Sequence, residues 1–378
     1  MDIFFIEMPA LLGRLSRFNY DFGSAHYNFS IRNHLSEESL LPLTSLIGLP
    51  HSELKKRVRP AKAIIQGMLK KECDRAIPED QIIARHDTTR GALDWLLKER
   101  VGFLQKVALP VPNWHFWSMA ENRRSAYKFA YFNATKEEEL VEGFRKIAQN
   151  RGIKVLLLVD PANPLMYQHS EEGCKEIDRI ALNRGIDIVI DDVLRGTRPL
   201  EDRRSIARYF TNPYVVEGFG KRFGDDPLGG ISYVLIPEKT KLPKAHTKDL
   251  CPCGEMLQVA LDNASVAAVA ELEERNRAFD RGLRTAIPNI EIERPFASSL
   301  ISLVYLPEGF QTTPEGFMLN SLMNGVKLRV PDGCFPEGHK TKPNLRPSIR
   351  ITVGQMNSDL IEKGAEYLGR GINYNLDP

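Results

Sequence analysis

The stretch KVLLLVDPANP, residues 154–164, decides the fold. Six residues of almost unbroken apolar character, closed by a turn-forming Asp-Pro-Ala-Asn-Pro, predict a strand buried on both faces, over Lys154 to Val159. Helical spacing follows from Ser170 to Arg184, and then a second apolar run, IDIVIDD (186–192), again ends in acidic residues. A helical stretch at Leu200 to Arg208 leads to a third run, YVVEGFGK (214–221). Strands that alternate with helices predict a largely parallel sheet with helices on both faces.

The same alternation extends outward. Upstream, the spacing predicts a helix over Ala61 to Glu72, a strand at Gln81 to Ala84, a helix at Gly91 to Arg100, a strand ending near Leu109 and a helix from Lys136 to Asn150. Downstream, Gly230 to Ile236 reads as hairpin-like and completes the sheet. After a long helix around Met256 to Ala286 the pattern changes to short strands at Ile290 to Glu293, Leu300 to Tyr305, Gly325 to Arg329 and Ser348 to Thr352. One helix near Pro314 to Met323 lies among them, and another at Ser358 to Leu368 closes the chain. The expected architecture is α/β. A large domain spans 41–275, and a smaller α+β domain comprises 276–378 with the segment 1–40, which packs there or on a partner subunit.

Composition narrows the function. At 378 residues the chain exceeds the roughly 250–300 residues at which a single core stops growing. Lys and Arg number 51 against 49 Asp and Glu, a balance that disfavours nucleic acid or an anionic membrane as partner. No apolar run approaches the ~20 residues of a membrane span. Five cysteines, an odd number, read as reduced thiols of a cytoplasmic protein. Cys251-Pro252-Cys253 lacks a second pair at zinc spacing, so no metal is expected.

In parallel α/β sheets ligands collect at the carboxyl ends of strands. Four strand ends carry unusual residues: Asp87-Thr88-Thr89-Arg90-Gly91, Asp160 to Pro164, Asp191-Asp192, and Gly218-Phe219-Gly220-Lys221. Together they bring an amide, a carboxylate, a lysine and a helix N-terminus to one edge. This combination resembles the fold-type I pyridoxal-phosphate enzymes, in particular the class I/II aminotransferase family. Asn163-Pro164 is similar to its Asn-Pro turn, Asp191-Asp192-Val193-Leu194 to its Asp-Glu-x-Tyr and Gly220-Lys221 to its Ser-Lys, at separations of 28 and 30 residues. Pro112-Asn113-Trp114 and Ser348-Ile349-Arg350-Ile351 match two further motifs. The resemblance runs from about residue 60 to the end.

The resemblance implies pyridoxal 5'-phosphate as cofactor, and each part has a physical job. Lys221 would form an imine with the cofactor aldehyde and shuttle the α-proton. Asp191 would pair with the pyridine nitrogen, with Asp192 reading as a turn or capping residue. Asn163 would donate to the ring oxygen and Trp114 would lay a flat face over the ring, whereas Phe116 and Trp117 suit core or subunit interface. Thr88, Thr89 and Arg90 would hold the phosphate at a helix N-terminus, although a Thr-rich N-cap looks the same without a ligand. Arg350 would take the substrate carboxylate with Arg346 solvated, or the pair is reversed.

Departures from the family pattern are also plain. The family's tyrosine is Leu194, two serines near the lysine are Gly218 and Gly220, and its phosphate-binding arginine is Gly229, for which Arg90 or, less favoured, Arg222 is the replacement. The expected activity is that of an aminotransferase using an amino donor and an oxo-acid acceptor, as a homodimer. The alternatives are a same-fold lyase, racemase, cyclase or amino-acid oxidase, and a non-catalytic ligand-binding member.

Overall fold

The computed structural model describes residues 27–28, 61–73, 77–85, 87–102, 104–114, 116–119, 127–223, 230–238, 240, 257–258, 261, 265–313, 316–317, 321, 326–327, 334–336, 345–353 and 357–376. The expectations placed on 1–26 and 29–40, on Gly229, on Cys251 and Cys253, on most of the helix at 314–323 and on Gly325, Leu328 and Arg329 lie outside them.

The strands are β1 (Tyr27–Asn28), β2 (Ile82–Arg85), β3 (Lys106–Val111), β4 (Lys128–Asn133), β5 (Ile153–Val159), β6 (Asp187–Asp191), β7 (Tyr214–Gly218), β8 (Ser232–Leu235), β9 (Ile292–Glu293), β10 (Ile301–Tyr305), β11 (Val326–Lys327) and β12 (Ser348–Thr352). Among the described residues, the helices longer than a single turn are α1 (Ala61–Cys73), α2 (Thr89–Arg100), α3 (Glu137–Ile147), α4 (Glu171–Arg184), α5 (Ser265–Ala286) and α6 (Ser358–Tyr374). Seven strands form one sheet in the order β2-β8-β7-β6-β5-β3-β4. All pairs from β7 to β4 are parallel, and β8 alone runs against its neighbours.

Why these residues make these elements is visible locally. β5 reads IKVLLLV because helices cover both of its faces, leaving all but Lys154 buried. Helix α4 starts where the Ser170 hydroxyl accepts the Gly173 amide, and stops at Gly185, whose φ of 64° is the left-handed conformation that glycine adopts without steric cost. One face of the sheet packs Val107, Val155 and Val189 against Leu93, Leu96 and Leu97 of α2. The other packs Leu156, Leu158 and Ile188 against Leu140 and Phe144 of α3 and Ile177 of α4.

A three-stranded antiparallel sheet, β12-β10-β9, packs with α5 and α6 around Phe279, Leu283, Ile349, Ile351 and Leu368. Gly282 and Gly369 let α5 and α6 approach closely: a Cβ at 369 would stand 2.7 Å from that of Ala286. Helix α5 runs across position 275. Its Ala268 belongs to the cluster formed by α1, β2 and β8, and from Leu272 onward it belongs to the small-sheet core. The N-terminal β1 pairs in parallel with β11.

Four differences from the sequence reading have physical reasons. Leu200 to Arg208 forms two short 3-10 turns, Leu200–Asp202 and Ile206–Tyr209, because Leu200 is 55% exposed and the stretch offers no continuous apolar face. Gly230 to Ile236 is no hairpin, since β8 lies between β7 and β2 and pairs with both. Edge strand β4, absent from the sequence reading, holds only the short apolar run Phe129 to Phe132, and all its residues apart from Phe132 are exposed or half-buried. Helix α6 runs to Tyr374, beyond Leu368.

Beneath the ends of β6 and β7 lies a buried ionic cluster. Arg222 donates to both carboxylate oxygens of Glu72, at 2.5 and 3.0 Å, and to Glu217 at 3.1 Å. Arg195 bonds Glu217 and Tyr233, and Arg203 donates to Glu72 at 2.7 Å. Gly196 is required there, because a Cβ would run into the Arg222 guanidinium. Burial pushes the Glu72 carboxyl up, but the charge and hydrogen bonds of Arg222, with the charges of Arg195 and Arg203, overcome that and bring it down to about 2 from an ordinary 4.5. A carboxyl depressed in the folded state contributes stability above its unfolded value, and that stability is lost as pH falls through the folded value. The urea midpoint should therefore fall between pH 4.5 and 2. Glu72→Gln should cost about 3–5 kcal/mol at neutral pH, since it leaves buried guanidinium groups uncompensated, and should flatten that acid limb.

Candidate active site

The carboxyl ends of β2, β3, β5, β6 and β7 meet a corner of the small sheet and enclose a cavity of about 300 Å³. Thr88, Thr89 and Arg90 line it from the start of α2, Trp114 from the turn after β3, and Asn163 from the turn after β5. Asp191 ends β6, Lys221 lies in the helical turn Gly220–Phe223 after β7, and Arg350 reaches in from β12. All eight residues singled out in the sequence thus stand around one cavity. Those that sequence reasoning missed are Thr352 and the apolar walls Phe116, Val159, Val193, Leu300 and Ile301, which nothing in their strands or turns marks as ligand-facing.

Each polar side chain is placed by its element. Backbone bonds from Asp160 N–H to Asp191 C=O, at 3.1 Å, and from Asp192 N–H to Val216 C=O, at 2.9 Å, hold the end of β6 between its neighbours. The Asp191 carboxyl is 4% exposed and accepts the Val193 amide at 3.1 Å. Burial pushes it up to about 7, against the pull of that hydrogen bond and of the Lys221 charge, while Glu217 adds to the rise. Asp192 caps no helix with its side chain. It is fully buried, 3.6 Å from Arg195 Nε, and its carboxylate oxygens have no hydrogen-bond partner among the described residues.

Thr88 is the N-cap of α2, its hydroxyl accepting the Gly91 amide at 3.2 Å. Asp87 accepts the Thr88 amide at 2.7 Å and pairs with Arg85 at 3.5 Å. Thr89 presses its hydroxyl against the end of β7, where a Cβ on residue 218 would collide with it. Gly218 is therefore a glycine so that the threonine can stand there. Arg90 donates to the Ser118 hydroxyl. Asn163 presents a side-chain oxygen that is buried without a hydrogen-bond partner among the described residues.

Strand alternation sets the far wall. Ile349 and Ile351 face the small-sheet core, so Arg350 and Thr352 face the cavity. The Arg350 guanidinium carbon lies 3.7 Å from the centroid of the Trp114 ring. Arg346 is exposed, donates to Glu291 at 2.6 Å and stacks on Tyr305, which leaves Arg350 as the arginine of the cavity. Arg222, held by Glu72 and Glu217, is engaged inside the protein and does not line the cavity. Phe116 is buried in the sheet core; the Trp117 side chain lies outside the described residues.

No protein-family model matches the sequence, and no curated protein matches it. Solved structures do match along nearly the whole chain. A pyridoxal-phosphate-bound C–S lyase from Staphylococcus hominis is similar with a TM-score of 0.70 and 14% identity, over 89% of this chain and 88% of its own. A mutant aspartate aminotransferase from Thermus thermophilus gives 0.69 at 16% identity, over 96% and 95%. An archaeal alanine:glyoxylate aminotransferase gives 0.68 at 16% identity, over 98% and 95%. With its seven-stranded sheet, one reversed strand and small antiparallel sheet, the chain has the fold of the fold-type I pyridoxal-phosphate enzymes.

Proposed function

We propose that this chain is a pyridoxal-phosphate-dependent aminotransferase acting on an α-amino acid or a related amine, with Lys221 as the lysine that holds the cofactor covalently. The observation that carries the reading is the gathering of an amine, a buried carboxyl, a helix N-terminus and a buried arginine around one cavity, itself at the lower end of the ~300–1,000 Å³ typical of small-molecule sites.

The residues present suit that group. The buried Asp191 carboxyl, pushed up to about 7, would be stabilised by a cationic ring nitrogen set against it. Asn163 lines the cavity from the turn after β5, where its amide NH2 would donate to the ring oxygen. The Gly218 gap gives Thr89 a hydroxyl at the start of α2, where amides and the helix dipole favour an anion. Asp87 already occupies the Thr88 amide, so Thr89 and Arg90 are assigned the phosphate, and the engagement of Arg222 elsewhere supports Arg90 over it.

When bound, the cofactor supplies an electron-poor ring that stabilises negative charge at the substrate α-carbon. Lys221 Nζ would take the α-proton and return it on the far side of the substrate nitrogen, after which water would supply the oxo oxygen while the nitrogen stays with the cofactor. Arg350 holds the carboxylate and so orients the α-carbon toward Nζ. The apolar walls exclude water from that proton.

A second reading, elimination from the β-carbon, is favoured by two observations. Solved structures similar to this chain include a C–S lyase, and Leu194 puts a hydrocarbon wall where the aminotransferase pattern has a tyrosine. We rank transamination first because the residue types that it needs all stand around the cavity. Dimer formation follows from the family resemblance alone, since Phe116 of the aromatic segment belongs to the core.

Three outcomes are expected. Anaerobic incubation of the cofactor-loaded protein with a panel of amino acids should convert the cofactor band to that of the aminated form with stoichiometric oxo acid, and borohydride before substrate should label Lys221. An oxo acid released together with a thiol or ammonia, with no change of the band, would move the assignment to elimination. Gly218→Ala should weaken cofactor binding about tenfold or more, measured by fluorescence titration, because displacing Thr89 removes a charge-assisted hydrogen bond. Sedimentation should give a dimer at micromolar concentration, and an active monomer would contradict it.

A further inference from the structure

The stacking of Arg350 on Trp114 gives the indole a different task from covering the cofactor ring. We propose that Trp114 is a positioning residue for carboxylate recognition: its face holds the Arg350 guanidinium flat, so that the guanidinium meets a carboxylate edge-on. The inference rests on the proposed role of Arg350 as the carboxylate-binding arginine.

The geometry carries it. A guanidinium carbon 3.7 Å from the ring centroid lies over the face of the indole, because the rim of the ring would keep it farther away. At that separation a nitrogen cannot stand between the carbon and the ring, so the guanidinium plane runs along the indole plane. A cation–π contact uses the face of a guanidinium, whereas hydrogen bonding to a carboxylate uses the N–H groups along its edge. Stacking therefore orients the fork without spending its donors. A free arginine side chain loses rotamer entropy on binding, and part of that loss is already taken when the plane is fixed.

Burial raises the worth of the contact. Arg350 is 4% exposed, and desolvated cation–π pairs are stronger than exposed ones. The two partners also come from opposite sides of the cavity, Trp114 from the turn after β3 and Arg350 from the middle of β12, where its backbone pairs with Leu303. The strand fixes where the arginine starts, and the indole fixes where its head ends. One face of Trp114 is thereby occupied by a cation.

The test is calorimetric titration of the full chain with benzoate, with benzamide as neutral control, before and after loading with pyridoxal 5'-phosphate. Wild type should bind benzoate and not benzamide, and Arg350→Lys should lose that preference. Trp114→Leu should weaken benzoate about tenfold, Trp114→Phe should restore most of the loss, and cofactor affinity should change less than benzoate affinity in both. Thermal midpoints of the variants separate this effect from a fold defect, since a merely structural role would lower the midpoint without a selective loss of benzoate. Benzoate affinity in a folded Trp114→Leu equal to that of wild type overturns the inference, as does a wild type that does not bind benzoate. Failure to load the cofactor, with benzoate binding and its Trp114 dependence intact, would instead count against the cofactor reading alone.

Discussion

The bond between Arg222 and its two carboxylate partners is the constraint on which the site depends. Arg222 follows Lys221 directly, and Glu72 comes from α1 while Glu217 comes from the end of β7. Burying an ion costs several kcal/mol even after relaxation, so such a cluster persists only when every member is answered. Here Arg195, Arg203 and Tyr233 complete it. The result is a turn anchored from three directions, and the lysine on it inherits that rigidity. A residue that the sequence offers only as a second choice for the cofactor phosphate is the internal bolt beneath the cavity.

Much of the architecture was legible because burial writes itself into sequence. Strands covered on both faces, such as β5 and β6, are continuous apolar runs, and the polar residues that end them mark the carboxyl edge where ligands collect. The resemblance to the aminotransferase pattern then singles out the eight candidate residues, and Arg350, in the middle of β12 and at no strand end, is legible through that resemblance alone. What the sequence does not carry is pairing between distant positions. Nothing near Gly218 says that Thr89 fills its missing side chain, and nothing near Arg222 points to Glu72. The edge strand β4 was hard to read because its apolar run is only four residues long and mostly half-buried, and the 3-10 turns after β6 because they bury no periodic face.

Helix α5 shows that the two cores share a member. It contributes Ala268 to the cluster beside β2 and β8, then turns the rest of its length to the small sheet. A displacement of β12, and with it Arg350, must be accommodated along this helix or at the close crossing of α5 with α6 at Gly282 and Gly369. The strand that carries the cavity's Arg350 is thus joined through one helix to the core beside β2 and β8.

The reversed strand β8 has a consequence for how the protein is made. The sheet order seats β2 at the edge with β8 as its neighbour, and Ile82 pairs with Leu235, so an early strand waits for one synthesised about 150 residues later. Until then the apolar face of β2 and the helix α1 that packs with it have no lasting partner at that edge. Contacts so far apart in the chain form slowly, and the unpaired edge is open to wrong associations meanwhile. A nascent chain stalled before residue 232 would carry the cavity residues from Thr88 to Lys221 on an unfinished sheet and would still lack the small-sheet wall with Arg350.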